Sequence, residues 1–120
     1  MIVTLAGGVG AARFLKGLRL VKPPRELIAI VNTGDDTVLH GLHISPDLDT
    51  VMYSLAGADN PETGWGLAGE TWQAMAALER LGGPTWFSLG DKDLATHLYR
   101  TGRLAEGGSL SQIKIGRAHV

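Results

Sequence analysis

The chain has no cysteine. That excludes disulfide frameworks and thiolate metal centres, and it suits the reducing cytoplasm expected for this protein. No apolar run approaches the roughly 20 residues that a membrane-spanning helix needs. The opening MIVTLAGGVG has no basic n-region, so it reads as a first strand rather than a secretory signal. Internal repeats and low-complexity linkers are absent, and neither a membrane nor a nucleic-acid partner is expected. The most informative absence is local: residues 26–79 contain nine acids and no lysine or arginine.

At 120 residues, 44% hydrophobic and 19% charged, the chain has the composition of one globular domain. Its net charge of −1 hides a segregation. Residues 1–25 carry five basic side chains (Arg13, Lys16, Arg19, Lys22, Arg25) and no acid, and residues 80–120 carry an excess of +3. An acidic middle between basic ends suits a place where a metal ion and a polyphosphate meet, although solvated surface charge gives the same pattern. The stretch VNTGDDTVLHGLHISPDLDT, residues 31–50, holds four of the seven aspartates. Neighbouring carboxylates repel by about 1 kcal/mol in water and by several times more where water is partly excluded. Either these acids are dispersed over loops and helix caps, or a cation sits among them.

The pattern along the chain is α/β. IVTLA (2–6) is a short buried strand ending in the glycine turn GGVG. From Ala11, Phe14, Leu15, Leu18 and Val21 follow helical spacing until KPP stops the helix. ELIAIVN is a second buried strand, completing a right-handed βαβ unit. A helix begins near Ser45-Pro46 and ends by Gly57. A third has Trp72, Met75, Leu78 and Leu81 facing inward. TWFSL (85–89) is the third strand, and GDKD opens a last helix capped by Asp91 or Asp93, with Leu94, Leu98 and Thr101 inward and Gly102 as its C-cap. The expected fold is a Rossmann-like open parallel sheet of about three strands with flanking helices.

Four motifs carry possible chemistry. GGVGAARFLKG sits where such folds bind phosphate, with backbone N–H groups and the helix dipole aimed at an anion. Gly8 and Gly10 fit the dinucleotide fingerprint, but Arg13 stands at the third glycine and Asn32 replaces the ribose-binding acid, which disfavours a nicotinamide-dependent oxidoreductase. Asp35-Asp36 follows the second strand at the edge where ligands bind, a position that an Asx turn also explains. In SPDLDT, Asp47 and Asp49 point to nearly opposite sides of a helix, so at most one serves a given metal, and helix-end charge alone accounts for acids there. Magnesium suits one or two such carboxylates, with water and phosphate completing its shell. Asp93 and His97 are spaced to pair on a helix surface. His40 and His43 read as loop residues.

Taken together, GGVGAARFLKGL, VNTGDD, HGLHISPDLDTVMY, GWGLAGETW and LGDKDLATHLYRT, in this order over residues 1–112, closely resemble the 2-phospho-L-lactate transferase family of deazaflavin coenzyme F(420) biosynthesis, particularly its actinobacterial branch. Members are longer, Rossmann-like homodimers, so the resemblance implies an N-terminal part of such a protein over residues 1–114. It implies magnesium-dependent transfer of a phospholactyl or phosphoenolpyruvyl group from a guanosine diphosphate-linked donor to 7,8-didemethyl-8-hydroxy-5-deazariboflavin, releasing GMP. By residue, it places the metal on Asp35 and Asp49, with Asp49 also close to the acceptor. Gly7, Gly8 and Gly10 would face the donor phosphates. Ser88 matches an acceptor-contacting position that carries lysine in some relatives, and Asn32 and Asp93 line the site. The alternative is a non-enzymatic nucleotide-sugar-binding regulator of carbon metabolism from the same superfamily. In those proteins the segment after strand two reads like DDGGSSG, unlike GDDTVLHG here. IGRAHV (115–120) reads as a non-native tail, because SLSQIK begins a helix that is then left unburied.

Overall fold

The computed structural model describes residues 1–111. Strands β1 (Ile2–Ala6) and β2 (Leu27–Val31) run parallel, in register from Ile2 opposite Leu27 to Ala6 opposite Val31. Helix α1 (Val9–Val21) and a 3-10 turn at Pro24–Glu26 connect them, which is the βαβ unit read from the sequence. Lys22 and Pro23 are extended, so the helix stops where the proline pair requires it.

The sheet is buried on one face only. Ala6, Ala29 and Val31 pack with Ala12 and Leu15 of α1 and with Val51 and Leu55. A fully buried leucine or valine here stabilises the fold by roughly 1.5–3 kcal/mol. The alternate residues Val3, Leu5, Ile28 and Ile30 project from the other face and are 46–81% exposed. The expectation of two buried strands is corrected accordingly, since no described residue covers that face.

Residues 37–44, where the sequence reads His40 and His43 as loop residues, form a hairpin. Strands β3 (Thr37–Leu39) and β4 (Leu42–Ile44) pair antiparallel across His40 and Gly41, whose φ values are +54° and +74°. Two left-handed residues in succession are what a two-residue hairpin turn requires. His40 is therefore a turn residue, and His43 lies on a strand. Helix α2 (Pro46–Leu55) follows with proline in its first turn and Gly57, at φ +70°, just past its end. It begins and ends where the sequence indicates.

A loop stitched by an Asp59–Leu67 bridge leads to helix α3 (Gln73–Arg80), and helix α4 (Asp91–Ala105) comes last. Three expectations fail in this half. TWFSL forms no strand: Trp86 is 73% exposed and only Leu89 of the five is buried. Among the described residues β1 and β2 pair only with each other, and a five-residue segment without a partner edge has little to hold it extended. Trp72 and Leu81, expected inside, are exposed. Helix α4 runs through Gly102 and ends at Ala105, with Gly107 at φ +91° closing it, and its buried residues are Thr96, His97 and Arg100 while Leu98 is exposed. Its inward face is polar because polar partners await it on α2 and β4. The architecture is thus α/β and Rossmann-like, with two parallel strands, a hairpin and flanking helices. The expected boundary at 114 and the tail 115–120 lie outside the described residues.

Candidate functional site

The two aspartates in the first turn of α2 have different surroundings. On one side Asp47 turns toward the glycine turn, where Asn32 Nδ2 donates to its Oδ2 (2.9 Å). A Cβ built on Gly8 would stand 3.1 Å from Asp47 Oδ1, so glycine is what lets the carboxylate come this close. A shallow hollow at the carboxyl ends of β1 and β2 is lined there by Gly7 and Asn32, and Gly10 is exposed in the first turn of α1. Asp47 is therefore more than a helix-end charge. The basic residues of α1 are partly spent on packing: Lys16 pairs with Asp59 (3.2 Å), and Arg19 donates to the Leu55 carbonyl at the end of α2.

On the other side Asp49 faces a cavity of about 390 Å³ enclosed by α2, the 57–72 loop and the start of α4. Tyr53, Trp65, Trp72 and Phe87 give it aromatic walls, and Ser88, Asp93 and His97 contribute polar atoms. Tyr53 lies one helical turn beyond Asp49, and its hydroxyl donates to Asp93 Oδ1 (2.6 Å). On α4, Asp93, His97 and Arg100 follow at helical spacing. His97 Nε2 is 3.1 Å from Asp93 Oδ2, and its Nδ1 is 3.3 Å from Arg100 Nη1. Arg100 also donates to the His43 carbonyl (3.1 Å) and, through Nη2, to Asp49 Oδ1. The Asp93–His97 pair is thus formed as its spacing suggests, but His97 is 1% exposed rather than on a surface.

Burial dominates the electrostatics. It pushes the Asp49 carboxyl up to about 6, against the pull of Arg100 and His97. It also drives the Tyr53 phenol far above its usual range, helped by the charges of Asp49 and Asp93, so Tyr53 acts as a hydrogen-bond donor. At Asp93 burial is outweighed by the hydrogen bond and charge of His97, the Tyr53 hydroxyl and Arg100, and the carboxyl stays below the ordinary range.

Asp49, Asp93 and His97 bring one potential ligand atom each within 4.8 Å of one another. Arg100 reaches both Asp49 and His97, so a protein cation already compensates this trio. Within this trio, one buried carboxylate oxygen has no hydrogen-bond partner among the described residues: Asp49 Oδ2, 3.7 Å from His97 Nδ1. A single free carboxylate oxygen fits a magnesium ion that draws its other ligands from water and phosphate, and does not fit a three-ligand zinc centre. Asp35 is exposed in the turn after β2 and lines neither hollow. Its neighbour Asp36 is the more buried of the two: Ser45 Oγ donates to its Oδ2 (2.8 Å), and its Oδ1 is buried without a partner among the described residues.

The structure therefore gathers Asp49, Asp93 and Ser88 at one cavity and Gly7 and Asn32 at the other hollow, with Gly8 against Asp47. Sequence reading missed Tyr53, Glu70 and Arg100. The signal for Arg100 was present as the polar stripe Asp93, Thr96, His97, Arg100, at i, i+3, i+4 and i+7 on one helix face.

No helix among the described residues is long and apolar enough to cross a membrane. The family model described as 2-phospho-L-lactate transferase CofD matches residues 2–116. A phosphoenolpyruvate transferase of Kitasatospora aureofaciens is 56% identical over 114 residues, covering 93% of this chain and 36% of that protein. A protein of the same name from Nocardia farcinica is 56% identical over 113 residues, covering 93% and 34%. One from Mycobacterium tuberculosis is 49% identical over 126 residues, covering 93% and 38%. The chain spans about a third of the length of these curated relatives. With the family match running over nearly the whole chain, and the glycine turn and the two α2 aspartates set on a Rossmann-like frame, this chain belongs to the 2-phospho-L-lactate transferase family.

Proposed function

We propose that the full-length protein is a transferase of coenzyme F(420) biosynthesis, moving a phosphoenolpyruvyl or phospholactyl group from a guanosine diphosphate-linked donor to 7,8-didemethyl-8-hydroxy-5-deazariboflavin and releasing GMP. The names of the relatives favour the enolpyruvyl donor. The observation that carries this reading is the buried, partnerless Asp49 Oδ2 in the wall of an aromatic cavity. A planar tricyclic acceptor suits walls made by Trp65, Trp72 and Phe87, with its ribityl chain toward Asp49 and Ser88 at the rim. The acceptor hydroxyl attacks the β-phosphorus in line, and the bond to the GMP oxygen breaks. Asp49 orients that hydroxyl and accepts its proton, a task suited to a carboxyl raised toward neutrality. The glycine turn at Gly7, Gly8 and Gly10, with Asn32 beside it, receives the donor phosphates across the first turn of α2. Magnesium, which would supply charge neutralisation at the transferring phosphate, would be held through Asp49, and the family resemblance adds Asp35, which is exposed in the turn after β2. The protein works as a homodimer in the cytoplasm.

The test is transfer to the deazaflavin by the full-length protein carrying Asp49→Asn or Asp47→Asn. D49N loses at least about a hundredfold in turnover while the protein remains folded. D47N keeps an oxygen for Asn32 and is mild toward the acceptor. Equal, small effects at both positions would return the two acids to ordinary helix-end charges.

A further inference from the structure

Arg100 is a buried cation that the proposed reaction does not use. Its side chain is 4% exposed, and partners on three elements fix it: Asp49 on α2, the His43 carbonyl on β4 and His97 on α4. A pair built for stability spends both carboxylate oxygens on the guanidinium fork. Here Nη2 takes Asp49 Oδ1, Nη1 is engaged by His43 and His97, and Oδ2 is left without a bond. Stability alone also argues against the arrangement, because apolar side chains of similar volume replace a buried ion pair at little cost. What the geometry achieves is selection: one oxygen of Asp49 is occupied and the other is held, buried and without a hydrogen bond, 3.7 Å from His97 Nδ1.

We infer that Arg100 is a positioning residue for Asp49, restricting it to a single free oxygen and, by its charge, holding down the affinity of that oxygen for a divalent cation. This rests on the transferase reading of Asp49. A carboxylate free to rotate would grip a cation with both oxygens and turn away from the acceptor hydroxyl. Arg100 prevents both, and His97 keeps the guanidinium from swinging to the second oxygen.

The experiment compares Arg100→Met and Arg100→Lys with the unsubstituted full-length protein in two measurements. The first is binding of Mn2+ alone, followed by electron spin resonance. The second is kcat and KM for the deazaflavin. R100M binds Mn2+ at least about tenfold more tightly, because a neighbouring positive charge is gone and both oxygens are free. Its kcat falls about a hundredfold, with the acceptor KM within about threefold of the original. R100K keeps the charge, so its Mn2+ affinity stays near the original and part of kcat returns. A merely structural Arg100 gives the opposite pattern, in which Mn2+ affinity and kcat fall together with the folded fraction, and that result would overturn the inference. Should R100M fail to fold, R100K decides: lowered kcat at unchanged Mn2+ affinity supports the role, and unchanged kcat overturns it. An unsubstituted protein that binds Mn2+ and the deazaflavin but transfers nothing would overturn the transferase reading and this role with it.

Discussion

Glu70, just before α3, caps α4, and Asp91, the first residue of α4, caps α3. The Glu70 carboxylate, just before α3, accepts from the backbone N–H groups of Lys92 (2.8 Å) and Asp93 (3.0 Å) at the start of α4. Asp91, in the first turn of α4, accepts from Gln73 (3.0 Å) and Ala74 (2.9 Å) at the start of α3 and from the Thr71 hydroxyl (2.6 Å). Each acid thereby satisfies orphan donors at a positive helix end. The pair also fixes where α4 begins, and therefore where Asp93 stands in the cavity.

Gly90 is the point at which this exchange is tightest, because a Cβ there would overlap the Glu70 side chain. Glu70→Ala costs about 0.5–2 kcal/mol, the usual worth of a capping side chain. Gly90→Ala costs a similar amount by driving Glu70 off the α4 N-terminus. Because both act through one contact, the double variant is less damaged than the two losses added. Chemical denaturation of the four proteins in the cycle measures this, and strict additivity would refute the shared contact.

Asp91 gives the capping pair a pH signature. The Thr71 hydroxyl and the Ala74 and Gln73 N–H groups hold its carboxyl below the ordinary value of 3.8. A folded-state pKa below the unfolded one means the contribution is present above pH 3.8 and lost as pH falls through the lower folded value. The stability gap between the unsubstituted chain and Asp91→Ala is therefore constant near neutrality and closes in acid. Thermal unfolding of both proteins down the acid limb checks it.

Much of the fold was legible because it is local. The βαβ unit, the start of α2 at Pro46 and its end at Gly57 follow from periodicity and from residues with fixed backbone preferences. What was not legible depends on partners distant in sequence. TWFSL has a strand's composition but pairs with no strand, and Leu98 has a helix's apolar spacing while its helix buries His97 and Arg100 instead. The site divides the same way. Position on α2 pointed to one of Asp47 and Asp49, and only the family resemblance chose Asp49, whereas Arg100 acquires meaning only when α4 packs beside α2 and β4, 51 residues away from Asp49. Asp47 and Asp49 do point apart as helix geometry demands, but the neighbours of Asp47 at Gly8 and Asn32 were not visible from spacing.

The uncovered face of the sheet predicts how the 120-residue chain behaves by itself. Val3, Leu5, Ile28 and Ile30 form one contiguous exposed apolar patch across β1 and β2. Such a patch beside strand edges favours self-association. The chain is expected to sediment as a concentration-dependent mixture, and Leu5→Lys with Ile30→Lys to shift it toward monomer. A cooperative monomer at every concentration, before any substitution, would show that this face needs no cover.

Asp49 yields a prediction in which stability and activity move in opposite directions with pH. Burial raises its folded-state pKa from 3.8 to about 6, so the folded protein holds a proton there that the unfolded chain has released. Its contribution to stability is thus fully present below about pH 4 and lost as pH rises through about 6. Activity needs the other form, since only the ionised carboxylate accepts a proton from the acceptor hydroxyl or meets a cation. For the full-length protein, kcat/KM is expected to rise with pH through about 6 at limiting magnesium, and saturating magnesium to move that midpoint downward by favouring the ionised form. Asp49→Asn flattens the stability slope between about pH 4 and 6 and removes the acid limb from whatever residual activity persists. A pH–rate profile and thermal unfolding curves over that window, with and without the substitution, measure both. An acid limb that survives unchanged in D49N would assign the titration to another group and leave Asp49 without the proton-accepting role.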